Sequence, residues 1–194
     1  MEEDKGSTPY IIYMDVKYYL YHFACLHTAR YKGKAAPHKA ILLLAVMNLV
    51  ERGSISSPEV ELTDELVDEF KKIWIEKLPK SCPFSCDISK PYFHMQHEPF
   101  WHLLEHKEEH NMVTEELGLY SSETKLMAKT YTVNAMREKF QCAIIDRDLL
   151  DIMQNENDRK QLEDLLIAKY LTYNPPTDKK RYVTAMIATL CLVV

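Results

Sequence analysis

Arg30-Tyr-Lys-Gly-Lys-Ala-Ala-Pro-His-Lys39, running straight into Ala40-Ile-Leu-Leu-Leu-Ala-Val-Met-Asn-Leu-Val50, is the stretch on which the reading of this chain turns. The second part is nearly all apolar and is followed by Gly53, as expected of a helix that is hydrophobic all round and stopped by a glycine. Such a helix, over about residues 38–51, has no solvent face and belongs at the buried centre of a fold. The first part is basic. No Asp or Glu occurs between Asp15 and Glu51, although the 194-residue chain carries 29 acids and a formal net charge of −5. Arg30, Lys32, Lys34 and Lys39 thus lie in a Gly-containing loop that ends at a helix start. There, unbonded backbone N–H groups and the positive end of the helix dipole reinforce the cationic side chains. This combination suits a phosphate. The competing reading is a loop kept hydrated by its charges, with Pro37 present because proline fits a first helical turn.

Working outward, Ile12, Tyr13, Val16, Tyr19, Leu20, Phe23 and Leu26 recur at spacings near three and four, which predicts an amphipathic helix within residues 12–30. Thr63, followed by Asp64 and Glu65, predicts an N-cap for a helix through Leu66, Val67, Phe70, Ile73 and Trp74. Between Leu78 and Pro99 the prolines at 79, 83, 91 and 99 argue against helix, and Tyr92–Gln96 with Phe100–Leu104 reads as a short hairpin or pair of strands. Thr132–Phe140 reads as a helix. Asp146 and Asn157 suit caps for two more, over about 147–154 and 158–171. The expected fold is α+β: a mainly helical single domain with a small antiparallel hairpin or sheet near residues 88–104. The domain spans residues 1–171, and residues 172–194 form a linker-like segment and apolar tail.

Composition excludes several classes. Four glycines, with neither a Gly-x-Gly-x-x-Gly nor a Gly-x-x-x-x-Gly-Lys-Ser/Thr pattern, argue against a Gly-rich nucleotide cradle. The start Met-Glu-Glu-Asp-Lys lacks the basic-then-apolar order of a secretory signal, so a cytoplasmic location is expected. Five cysteines in such a chain read as reduced thiols. The apolar run Tyr182–Val194 is too short to cross a bilayer as a helix, and no membrane partner is expected.

The blocks Ala36-Pro-His-Lys-Ala-Ile-Leu-Leu-Leu44, Glu51-Arg-Gly53, Leu62-Thr-Asp-Glu-Leu66, Pro91-Tyr-Phe-His-Met95 and Phe100-Trp-His-Leu103, in that order, resemble the N-terminal domain of HNH-type restriction endonucleases. Ala143–Leu149 and the last helix through Leu166 and Ile167 continue the likeness, which covers roughly residues 15–171. In characterised members that domain is the sulfur-binding domain, which recognises phosphorothioate-modified DNA. The resemblance implies a DNA-binding module of a restriction or defence system that reads phosphorothioate-modified or otherwise modified duplex DNA. Too little chain follows residue 171 for the nuclease, so cleavage would fall to a separate nuclease subunit or have been lost.

By the same resemblance, His38 and Lys39 are the DNA-contacting pair at the helix start, and Pro91, Tyr92 and His94 lie where the family builds an apolar cup for sulfur. Sulfur is larger, softer and less hydrated than oxygen, so apolar contact replaces part of a hydrogen bond. The residue before that proline is usually aromatic in the family; here it is Lys90. A further basic residue completes the family pocket, and Arg137 or Lys125 would supply it. Arg30, Lys32 and Lys34 would add salt-dependent attraction for any duplex. For Phe93 and Met95 core packing is the preferred reading. Neither catalytic residues, nor a metal, nor a cofactor are assigned. Two alternatives stand beside this one. Cys82 and Cys86, followed by histidines at 94, 97, 102, 106 and 110, have the look of a metal- or thiol-dependent enzyme. The acidic surface and apolar tail would also suit a protein-interaction subunit.

Overall fold

The computed structural model describes residues 14–31, 33–106 and 131–172. Seven α-helices and two small antiparallel sheets among these residues make an α+β, mainly helical fold around one hydrophobic cluster. The helix α1 spans Val16–Ala24, and Asp15 caps it by accepting from the Tyr18 N–H. A two-residue hairpin follows, β1 (Arg30–Tyr31) against β2 (Lys34–Ala35), closed through Gly33 at φ +80°, a backbone conformation that glycine adopts without strain. The helix α2 spans His38–Glu51, and eleven of its residues are buried. It is the axis of the molecule: α3 (Asp64–Lys77), α4 (Ser89–His94), α6 (Arg147–Gln154) and α7 (Glu156–Leu166) all pack on it. Ile41, Leu42, Leu43 and Met47 are fully enclosed, each contributing about 1.5–3 kcal/mol of hydrophobic stabilisation.

The larger sheet has the order β3-β5-β4, with β5 (Phe140–Ile145) between β3 (Glu59–Val60) and β4 (Trp101–Glu105). Val60 opposes Ala143, and His102 opposes Ile144. The short helix α5 (Val133–Lys139), capped by Thr132, leads directly into β5. After α7 the chain makes a π-helical turn, Ile167–Leu171. No helix among the described residues is long and apolar enough to cross a membrane.

Several expectations need correction. Tyr92–Gln96 is not a strand: α4 covers Ser89–His94, and a 3-10 turn covers Met95–His97. Pro91 is its third residue, where its missing N–H would have had no partner within the helix. Only Trp101–Glu105 of the expected pair is β, and its partner is β5. The first helix ends at Ala24, and residues 26–29 lead into the hairpin. The last helix is capped by Asn155, whose Oδ1 accepts from the N–H groups of Asn157 and Asp158, and not by Asn157. Asp146 holds the N-cap position of α6 but spends its carboxylate on the Tyr19 hydroxyl, at 2.9 Å. Tyr182–Val194 lies outside the described residues.

Candidate functional site

The start of α2, the segment His27–Ala29, the loop Pro83–Asp87 and α4 enclose a cavity of about 580 Å3. His38, Lys39, Lys90, Pro91 and His94 all line it, so five candidate residues from two separate stretches meet in one place. Ala29, Ala36, Pro83, Phe84 and Pro91 make much of its wall apolar. No side chain caps α2: Pro37 occupies the N-cap position in a helical conformation.

A buried carboxylate organises the floor. Glu98 Oε1 accepts from Lys39 Nζ at 2.6 Å and from the His27 N–H at 3.0 Å, while Oε2 lies 3.3 Å from His27 Nδ1. The Glu98 N–H donates to the Met95 carbonyl at 2.8 Å. One residue thereby ties the segment after α1, the start of α2 and the turn after α4 into a single frame. Lys39 is almost fully enclosed and already neutralised, so its charge adds little to the potential outside. The accessible cation of this cavity is Lys90, which is exposed.

His38 donates from Nε2 to the Ser85 carbonyl at 2.8 Å, and its ring packs on Trp74 and Phe84. This bond pins the Pro83–Asp87 loop to α2 and leaves Nδ1 as the acceptor nitrogen of a neutral imidazole. Burial pushes the His38 ring below its ordinary value, only partly opposed by the bond to Ser85. The His94 imidazole is also pushed down, first by burial and then by His97, Lys39 and Lys90. The cavity therefore holds neutral imidazoles, a compensated lysine and apolar surface. Asp87, its one lining acid, is occupied by the Ser89 N–H and hydroxyl.

The other candidates lie elsewhere. Tyr92 is 1% exposed, with its ring against Trp101 and its hydroxyl donating to the Val60 carbonyl at 2.8 Å, so it is a core residue and not part of the cup. Arg137 Nε donates to the Leu62 carbonyl at 2.6 Å and its Nη2 to Asp64 Oδ1 at 2.7 Å, which clips α5 to the start of α3 instead of reaching the cavity. Arg30 and Lys34 line a second cavity of about 510 Å3, which adjoins the first at Thr28. Lys32, Lys125 and His110 lie outside the described residues. Phe93 packs on Tyr131 and Phe140, and Met95 is fully buried, as preferred from sequence.

Among the described residues no group of three or more His, Cys, Asp or Glu side chains is arranged to hold a metal ion, so Cys82, Cys86, His94 and His97 do not form a ligand set. Burial pushes the thiols of Cys86 and Cys142 up, opposite to the depression that a cysteine nucleophile needs. The residues that sequence reasoning missed are Glu98 and His27, while His97, which lines the same cavity, had entered only through the alternative Cys/His cluster. Glu98 stands between a histidine and a proline with nothing in its neighbourhood to mark it as the partner of Lys39. No family model matches the chain, and no curated protein matches it either.

Proposed function

We propose that the protein is a duplex-DNA-binding module in which the cavity at the start of α2 receives a modified backbone phosphate, most simply a phosphorothioate. The observation that carries this is the convergence of His38, Lys39, Lys90, Pro91 and His94 on one cavity that is apolar and poor in net charge. An ordinary phosphate oxygen gives up strong hydration on entering such a place and finds few charged donors in return. Sulfur gives up less and gains more from Pro83, Phe84 and Pro91. Lys90 at the rim supplies attraction for the remaining oxygen, and the neutral imidazole of His94 can donate one N–H. Recognition falls to these residues, in a cytoplasmic restriction or defence setting.

His94→Ala tests it. In a variant that keeps the parent circular dichroism spectrum, the preference for modified over unmodified duplex should shrink while the salt-dependent background persists. An unchanged ratio would remove the cup from the account.

A further inference from the structure

The second cavity, of about 510 Å3, lies beside the first, and Thr28 lines both. Its walls come from the β1–β2 hairpin on one side and from the π-helical turn on the other: Arg30, Lys34 and Lys169 line it, and no acidic residue does. Among the described residues, no carboxylate lies within ion-pair distance of Arg30 or Lys169. In a chain of net charge −5, the like charges of Arg30 and Lys169 at one cavity repel each other and cost the folded state stability. An anion in their midst reverses the sign of that interaction.

The wall is built, not a chance meeting of surface side chains. The Tyr170 hydroxyl, in the π-helical turn, accepts from the Leu26 N–H at 3.2 Å and lies 3.0 Å and 3.1 Å from the carbonyls of Phe23 and Ala24. It fastens the turn to the end of α1. The Thr172 hydroxyl, 2.7 Å from the Ala168 carbonyl, secures the turn's far end. Lys169 Nζ lies 5.9 Å from the Tyr170 ring centroid, and Arg30 lines the same cavity from the hairpin. Gly33, at φ +80° with open space where a Cβ would stand, lets the opposite hairpin turn tightly at the cavity's edge. A π-turn is a costly irregularity often retained at functional positions.

We propose that this second cavity is a binding subsite for an ordinary phosphodiester of the same strand whose modified phosphate occupies the first, with Arg30 and Lys169 as its ligands. The inference rests on the DNA-binding reading and adds a division of labour to it. The charge-poor cavity discriminates, and the cationic one attracts without regard to modification. The strand passes between them over Thr28.

The test is a fluorescence-anisotropy titration of a short duplex, with and without a phosphorothioate, across a salt series. It compares the parent with Arg30→Ala/Lys169→Ala and with Lys169→Glu. Both residues are exposed, and thermal melting checks that the fold survives. Arg147→Ala/Lys160→Ala removes the same charge from residues that line neither cavity. The Arg30/Lys169 variant should bind both duplexes about ten-fold more weakly, with a log–log salt slope shallower by about 0.9, the value for one phosphate contact. Its modified-to-unmodified ratio should stay at the parent value, and Arg147→Ala/Lys160→Ala should keep the parent slope. Parent-like affinity and slope in the Arg30/Lys169 and Lys169→Glu variants would overturn the subsite and leave the DNA-binding reading standing. Equal losses in the Arg147/Lys160 control would also overturn it, by reducing the effect to net charge. A parent protein that binds no duplex at low salt would overturn both.

Discussion

Lys39 Nζ and Glu98 Oε1 stand 2.6 Å apart with both side chains withdrawn from solvent, 7% and 2% exposed. A lysine so placed is a strut under the cavity, not a cation offered to a ligand. Its removal would strand a carboxylate that also receives the His27 N–H. Lys39→Ala should therefore cost about 3–5 kcal/mol of stability. Adding Glu98→Gln, which removes the unpaired charge but keeps an oxygen for His27, should recover part of that loss. Urea denaturation checks both, and a single-variant loss below about 1 kcal/mol, the range of an exposed pair, would contradict the strut.

Stability should depend on pH through His38 and His94. Both imidazoles are pushed below the ordinary 6.5, so the unfolded chain takes up their protons first. The stability they leave intact is fully present above pH 6.5 and is lost as pH falls toward their depressed folded values. DNA binding should run the opposite way, because a bound anion favours protonated His94. Melting midpoints and anisotropy over the same pH series should diverge on acidification. A melting midpoint that holds constant from neutral pH down to pH 5 would remove the half-buried histidines from the account.

Lys90→Ala should leave the melting temperature within a degree or two while weakening both duplexes, because its ammonium is exposed at the cavity's rim. It should also raise the titration midpoint of His94, on which Lys90 now acts to lower it. Imidazole proton resonances followed against pH give that midpoint directly. A midpoint that stays in place would mean Lys90 does not face His94.

Arg137→Ala should behave as a structural change only. Loss of its bonds to the Leu62 carbonyl and Asp64 should cost about 1–3 kcal/mol, with the Leu62 acceptor carrying most of it because Asp64 is 90% exposed. Duplex affinity, measured well below the melting temperature, should match the parent. A loss of binding with unchanged stability would return Arg137 to the recognition surface.

Much of this architecture was legible where local rules act alone. A nearly all-apolar run of this length, stopped by a glycine, reads as a buried helix, and α2 spans His38–Glu51 with Gly53 beyond it at φ +77°. Thr63 caps the helix that follows it because its hydroxyl accepts the N–H three residues on. Legibility failed where a local signal has two meanings. Pro91 argues against helix in general but is harmless in a first turn, and the aromatics of Tyr92 and Phe93 suit strand or helix alike. In the site, Pro91 and His94 meet His38 and Lys39 at one cavity. The state of those side chains was not legible. Lys39 finds Glu98 across 59 residues, and no periodicity or spacing announces such a pair. The same applies to Lys169, which joins Arg30 only through the pinning of Tyr170 to the end of α1.

A cavity between α2 and α4 that prefers a softer atom to a phosphate oxygen should reveal itself in the ratio of dissociation constants for one duplex sequence with and without a single phosphorothioate. The linkage is chiral and the cavity is not symmetric, so the two phosphorothioate diastereomers are measured separately. One diastereomer should bind more tightly than the unmodified duplex by about 1–2 kcal/mol, roughly 5–30-fold. The other should bind no better than the unmodified strand, and the tighter binding should persist as salt is raised because it does not arise from counterion release. Equal dissociation constants for all three duplexes at every salt concentration would contradict the claim.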